Sequence, residues 1–167
     1  MAAAVTTLQH THTTPSAETT TYTLPADRPK LKRDMEEEPK SIWILKPPAG
    51  SCGRGIRLVS KAADSAMPNP TKKLIAQKYV KHPFLIDGVK FDLRIYVVVT
   101  SFDPLRVYLF HQGLVRFCTS KYSLSSKNLK NRYGHLTNYS VNKKNEAFDR
   151  NTNAANDGEG SKWSLQA

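Results

Sequence analysis

The chain is poor in the features that mark membrane, secreted or metal-clustered proteins. Its 167 residues include only two cysteines, Cys52 and Cys118. Two thiols so placed make neither a paired metal spacing nor a disulfide framework, and they read as independent reduced thiols. No run approaches the roughly 18 consecutive apolar residues that span a bilayer. No Lys or Arg precedes Arg28, which argues against a mitochondrial transit peptide. No short apolar stretch behind a basic start reads as a secretory signal. A cytosolic protein is the expectation. Also missing are the Gly-Lys-Ser/Thr of a Walker A loop, the third glycine of a dinucleotide fingerprint and the His-Arg-Asp of a protein kinase. Branched aliphatics are scarce before residue 40, where a Thr-rich tract runs from Thr6 to Thr23. That composition has too little apolar area to offset its ordering entropy, so disorder is expected over 1–39. Asp34 to Glu38 allows at most a helical turn closed by Pro39.

Acid is scarce where the chain becomes apolar. Residues 1–39 hold 4 Lys/Arg against 6 Asp/Glu, whereas 40–167 hold 21 against 8. A domain this basic favours a polyanionic partner: nucleotide, nucleic acid, anionic membrane or acidic protein segment. Short β-type runs appear at 41–45, 55–60, 73–80, 90–100, 105–111 and 114–118. Turn chemistry separates them at 47–50, 67–70, Asp87-Gly88, Asp103-Pro104 and Gln112-Gly113. The last two turns suggest an antiparallel meander over 90–118. Residues 149–161 read as a flexible insertion, and 162–167 as the start of a helix.

Four segments can carry chemistry. In the first, Lys46 ends a strand, Gly50, Gly53 and Gly55 follow, and a strand resumes. Closely spaced glycines let backbone N–H groups approach phosphate oxygens, and a lysine adds charge. A tight hairpin and a phosphate cradle both fit. In the second, alternation puts Phe91, Leu93, Ile95, Val97 and Val99 on a core face and Lys90, Asp92 and Arg94 opposite. A solvated row of ion pairs and a phosphate-and-sugar site both fit there. The third, Leu74 to Val80, is an apolar strand running into Lys81-His82-Pro83, able to offer backbone groups to an adenine edge. In the fourth, His135 has no carboxylate or thiol near it in sequence and reads as structural rather than as an acid or base. Thr137 and Asn138 suit a ribose or a turn.

Together these segments resemble the tubulin tyrosine ligase-like family, an ATP-grasp group of carboxylate–amine ligases. The resemblance lies in WILKPPAGSCGRGI (43–56), LIAQKYV (74–80), FLIDGVKFDLRIYVVVTSFDPLRVYLF (84–110), GLVRFCTSKYS (113–123) and HLTNYSVNKKN (135–145). The wording of FDLRIYVVVTSFDPL and HLTNYSVNKKN is most similar to the polyglutamylase branch. The fold implied is α/β (α+β), ATP-grasp-like and mainly antiparallel. Residues 40–82 would be a small lobe with phosphate loop and hinge, and 83–167 the start of the C-terminal lobe.

The resemblance also implies roles. Lys46 would meet the α/β-phosphates, with Cys52 and Gly53 in the loop above. Gln77, Lys78, Tyr79 and Val80 would form the adenine hinge. Lys90 and Asp92 would reach phosphate and ribose, and Thr137 and Asn138 would complete the ATP pocket. Arg94 would act near the terminal phosphate, and Arg116 would be the other catalytic arginine. Arg116, Tyr139, Ser140 and Lys162 would hold free L-glutamate. The implied reaction phosphorylates a glutamate side chain in an acidic tubulin tail, and the amine of free glutamate attacks the acyl phosphate. The implied setting is the cytoplasm, the microtubule cytoskeleton and the cilium or basal body. The family's Mg²⁺ ligands match no segment here, so a fragment unable to turn over is expected. Two alternatives are a non-catalytic tubulin-binding remnant and a basic nucleic-acid-binding β domain. The latter needs exposed aromatics among its cations, and Phe91, Phe110 and Phe117 fall on or beside core-like alternations.

Overall fold

A computed structural model describes residues 19–60, 69–151 and 157–167. The expected disorder of residues 1–18, the first half of the 67–70 turn and the middle of the 149–161 insertion lie outside the described residues.

The first sheet has the order β1-β4-β2-β3. It comprises β1 (Thr21–Leu24), β2 (Trp43–Lys46), β3 (Arg57–Val59) and β4 (Leu74–Lys78), all antiparallel neighbours. Helix α1 (Arg28–Glu37) packs on it, with a proline in its first turn, where a missing N–H costs nothing. Expected disorder over 1–39 is therefore wrong for the part described, because β1 and α1 are ordered. The few apolar residues there sit at useful spacings: Leu31 and Met35, four apart on one helix face, are buried with Leu24 against Trp43, Leu45, Val59, Leu74 and Ala76. Polar anchors add to this, since the Tyr22 hydroxyl donates to Asp34 at 2.5 Å and Tyr22 lies 5.7 Å from the Trp43 ring.

Strand β2 is buried on both faces, so Ser41 to Leu45 reads as a continuous buried run rather than an alternation. Trp43 and Leu45 face α1. Ile42 and Ile44 face a second core with Tyr79, Leu136 and Val141. The short helices α2 (Arg132–His135) and α3 (Tyr139–Asn142) flank that core.

The second sheet, β10-β9-β6-β5, comprises β5 (Leu85–Ile86), β6 (Val89–Arg94), β9 (Leu114–Phe117) and β10 (Lys162–Ser164). The expected meander over 90–118 is replaced by a different topology. The run 90–100 is two strands, β6 and β7 (Val97–Phe102), and among the described residues β7 pairs only with β8 (Leu105–Leu109), in a separate hairpin. Strand β6 pairs with β9 instead, Asp92 opposite Arg116 and Arg94 opposite Leu114. The bend at Ile95-Tyr96 carries no Gly or Pro, so nothing in the period-2 pattern marks it. Gln112-Gly113 is not a hairpin turn. Gly113 is needed for close approach, because a Cβ there would lie 2.7 Å from the Arg94 carbonyl oxygen. The expected helix start at 162–167 is instead β10, which pairs with β9 and packs the Trp163 ring, tilted, against Phe117 with centroids 4.5 Å apart.

Alternation along β6 holds, but burial does not follow it. Lys90 and Asp92 share a face with Arg116, and Phe91 packs on Phe117 behind them. Leu93 and Ile95, expected in the core, are 47% and 45% exposed, and the apolar side chains of β7 and β8 are exposed with them. Phe110 is exposed too, against its core-like alternation. The physical reason is that β7 and β8 form a two-stranded ribbon whose faces no other described element covers. Among the described residues, no helix is long and apolar enough to cross a membrane.

Leu31 is fully buried, so Leu31→Ala should cost about 2–5 kcal/mol by leaving a cavity between α1 and the sheet. Denaturant unfolding checks this, and an unchanged midpoint would mean that α1 does not belong to the folded body.

Candidate functional site

The glycine loop folds back between β2 and β3 and is held from outside by the segment around α3. The Ser140 hydroxyl donates to the Cys52 carbonyl at 3.0 Å, and the Arg132 guanidinium donates to the Gly53 carbonyl at 2.5 Å. Gly53 has φ +69°, and a Cβ there would lie 3.0 Å from Asn138 Oδ1 and 3.1 Å from Val141 Cγ2. Both the left-handed backbone and the space require glycine. Cys52 takes φ 64° without being glycine, a conformation that persists only where surroundings enforce it. The thiol is exposed, and hydrogen bonds from Ser51 and then Ser140 hold it below the ordinary cysteine range.

Beneath the loop lies a cleft of about 280 Å³ lined by Lys46, Gly50, Cys52, Gly53, Arg54 and Asn138 among others. Lys46, at the end of β2, donates to the Gln77 side chain on β4 at 2.8 Å. Four residues named from the sequence, Lys46, Cys52, Gly53 and Asn138, thus share one cavity, and Gln77 adjoins it.

Lys90 sits deeper. Its ammonium donates to the Tyr79 hydroxyl at 3.0 Å and to the His135 carbonyl at 3.0 Å, and lies 4.9 Å from the Tyr79 ring centroid. Burial lowers its pKa, and the field of Lys46 adds to that, while Cys118 and Asp92 act the other way. Burial also pushes the Cys118 thiol up to about 12, leaving it a neutral thiol. His135 is buried, with Nδ1 3.2 Å from the Tyr79 hydroxyl and Nε2 3.2 Å from the Asn128 carbonyl. One tautomer satisfies every partner: Nε2–H donates to Asn128, and Nδ1 accepts from Tyr79. Tyr79 and Tyr122 stand edge-on to the ring. This is the structural histidine that its sequence surroundings suggested.

A third group lies on the same face of the second sheet. Arg116 makes a two-bonded pair with Asp92, Nε to Oδ1 at 3.0 Å and Nη2 to Oδ2 at 2.5 Å. Lys162 is opposite Arg116 in register, and the ammonium groups of Lys162 and Lys143 each lie 5.4 Å from the Tyr139 ring. Arg116, Tyr139 and Lys162 therefore converge, with Asp92 between them and Lys90. Ser140 bridges this group to the glycine loop. Thr137 is half-buried just before Asn138.

Three named residues point elsewhere. Lys78 pairs with Glu38 at 2.6 Å, Val80 is exposed, and Arg94 is exposed at the end of β6. The Lys78 and Tyr79 N–H groups are committed to the Thr20 and Ile42 carbonyls. Sequence reasoning missed Arg132 and Lys143. Their only signal was a place within the 135–145 motif for Lys143 and beside it for Arg132, which cannot show that the segment packs on the glycine loop.

Among the described residues, no group of three or more His, Cys, Asp or Glu could hold a metal ion. Asp92, the acid nearest the site, already neutralises Arg116. The donor set here is cationic and amide-rich, suited to anions and unsuited to caging a divalent cation.

A family model described as the tubulin-tyrosine ligase family matches residues 1–167. Tubulin monoglutamylase TTLL4 of Mus musculus is 48% identical over 146 residues, which are 87% of this chain and 12% of that protein. Tubulin polyglutamylase TTLL5 of Mus musculus is 40% identical over 147 residues, 88% of this chain and 11% of that one. Tubulin polyglutamylase ttll-4 of Caenorhabditis elegans is 47% identical over 127 residues, 76% of this chain and 21% of that one. The chain belongs to the tubulin-tyrosine ligase family. It spans between 11% and 21% of the length of these three curated relatives.

Burial holds the pKa of His135 below its ordinary value of 6.5. The unfolded chain then takes up a proton near pH 6.5 before the folded one does, so stability should fall as pH drops from there toward the lower folded value. His135→Gln should flatten that fall below pH 6.5. Melting temperatures from pH 7.5 to about 5 check it, and equal slopes for the two proteins would contradict the buried neutral imidazole.

Proposed function

We propose that the chain contributes the nucleotide and amino-acid sites of an ATP-dependent protein–glutamate ligase acting on acidic tubulin tails. The observation that carries this reading is the convergence of Lys46, the glycine loop and Asn138 on one cavity, beside Lys90 and the Arg116–Lys162–Tyr139 cluster. Their sequence positions are far apart, and a merely solvated set of cations would have no reason to gather. The names of the relatives support glutamate as the transferred group and tubulin as the acceptor. Residues 40–82 serve as the small lobe and 83–167 as part of the second. The working place is the cytoplasm, at microtubules and in the cilium.

The donors fit a nucleotide polyphosphate. Gly53 brings backbone against Asn138 with no side chain between, and Lys46 reaches the same cavity with its charge. Bound ATP would supply the phosphoryl group that activates the acceptor carboxylate as an acyl phosphate. Around it, Lys46 and Lys90 set positive potential where phosphate charge lies, and Tyr79 with His135 fixes the direction of Lys90. Gln77 orients Lys46, and Tyr79 holds Lys90. Arg116 and Lys162 hold the carboxylates of free glutamate against Tyr139 and Ser140. The described residues do not fit a Mg²⁺ cage, and none of these roles is assigned through that ion. For the same reason the 167-residue chain by itself is proposed to bind its ligands without ligating them.

Titration with a fluorescent ATP analogue tests the nucleotide site. Lys46→Ala should weaken binding roughly tenfold, the scale of one charge-assisted phosphate contact. Arg116→Ala should abolish glutamate binding while sparing the nucleotide. No analogue binding by the folded chain would sink the nucleotide reading. Incorporation of labelled glutamate into tubulin by this chain alone would contradict the proposed lack of turnover.

A further inference from the structure

An amide is buried between α3 and the end of β9. Asn142, the last residue of α3, is 1% exposed. Every hydrogen-bonding position of its side chain is used inside the protein. Its Oδ1 accepts from the Thr119 N–H at 3.0 Å and from the Thr119 hydroxyl at 2.9 Å. Its Nδ2 donates to the Leu136 carbonyl at 2.7 Å and to the Asn138 carbonyl at 3.1 Å. Asn145 donates to the Thr119 hydroxyl at 2.7 Å, which leaves the hydroxyl proton for Asn142. The two ends of the amide cannot be exchanged, because a backbone N–H only donates and a carbonyl only accepts. The side chain therefore ties the chain just past β9 to the two carbonyls that bracket Thr137.

We propose that Asn142 is a positioning residue for the nucleotide cavity and acts through Asn138. Asn138 lines that cavity beside Lys46, and its Oδ1 stands 3.0 Å from where a Cβ on Gly53 would lie. At that separation a small shift of Asn138 would open or close the gap between it and the glycine loop. Helix α3 is one turn long, too short to hold a position by its own helical bonds. Leu136 and Val141 bury their side chains against Ile42 and Ile44, but apolar contact is not directional. Four hydrogen bonds to a turn, a strand end and a fixed hydroxyl are directional. A buried amide is costly unless its partners are in place, so the segment is held in the arrangement that satisfies Asn142. In that arrangement the Asn138 side chain meets the glycine loop. That the cavity takes a nucleotide rests on the function proposed above, whereas the hold of Asn142 on the loop does not.

The test is a double-mutant cycle on the whole chain, at a temperature where circular dichroism shows each variant folded. Asn142→Asp keeps the acceptor that faces Thr119 and removes both donors. It should weaken binding of the fluorescent ATP analogue at least about fivefold, the scale of one net hydrogen bond. In an Asn138→Ala background the same change should cost under about twofold more. Leu31→Ala, in the core under α1, should lower the melting temperature yet leave the affinity within about twofold of wild type. Thr119→Val removes only the hydroxyl and carries the same cycle if Asn142→Asp does not fold. Alkylation of the exposed Cys52 in the ligand-free chain reads the loop directly, since Cys118 is buried. Its rate should change at least about threefold in Asn142→Asp and no further once the Asn138 side chain is gone. An analogue affinity equal to wild type in Asn142→Asp overturns the proposal. So do equal losses with and without the Asn138 side chain, because Asn142 would then act by another route. If wild type ignores the analogue while the Cys52 rate still moves through Asn138, the nucleotide reading falls and the positioning role stands.

Discussion

A buried ammonium ties the parts of this molecule together. Lys90 projects from β6 in the second sheet and donates to Tyr79, which follows β4 of the first sheet, and to the carbonyl of His135 in α2. Removing a lysine from water is expensive unless its donors are satisfied. Two oxygens and the face of a tyrosine meet that requirement. Because each acceptor comes from a different element, the bonds can form only when the two sheets and α2 hold their native relation. The neutral His135 completes the chain of contacts, passing from Tyr79 to the backbone of Asn128. An imidazolium there would add a second positive charge beside Lys90, so the burial that keeps the histidine neutral also protects the ammonium.

From that junction the site follows in sequence along two strands. Two residues past Lys90 on the same face, Asp92 takes both donors of one edge of Arg116. Next to Arg116, Lys162 stands in register on β10 and reaches Tyr139. Adjacent to Tyr139, Ser140 fastens the glycine loop, which shares a cavity with Lys46. The two-bonded Asp92–Arg116 pair is half-buried, so its geometry matters more than its bare strength. It aims a guanidinium that a flexible lysine could not aim equally well. The loop stands between two positively lined hollows, one beside Lys46 and one beside Arg54 and Arg132. That partition arises from Gly53, whose missing side chain lets α3 pack against the loop.

Much of this was legible in the chain itself. Alternation in 89–94 put Lys90 and Asp92 on one face, and the absence of partners near His135 marked it as structural. The glycine spacing after Lys46 identified a loop of unusual backbone. Motif order carried the family. Local pattern failed where distant contact decided the outcome. Residues 21–37 looked too polar to fold, yet Leu24, Leu31 and Met35 suffice, because Trp43 and Leu45 offer a ready apolar surface. The run 90–100 looked like one strand, and its break at Ile95-Tyr96 exists because β6 finds β9 while β7 finds β8. Burial of Leu93 and Ile95 was expected from alternation alone, which gives a face but not what covers it.

The sequence by itself determined that Lys90 and Asp92 share a side of their strand and which family the chain belongs to, because these depend on neighbours a few positions away or on motif order. Tertiary structure alone decided that Lys46 meets Asn138, that Arg116 meets Asp92, that Lys78 leaves the site for Glu38, and that Arg54, Lys130, Arg132, Lys143 and Lys144 surround one hollow. Those pairs are separated by tens of residues. Strand alternation and helical spacing are silent over such distances, where sheet order and the packing of loops determine which charges face each other.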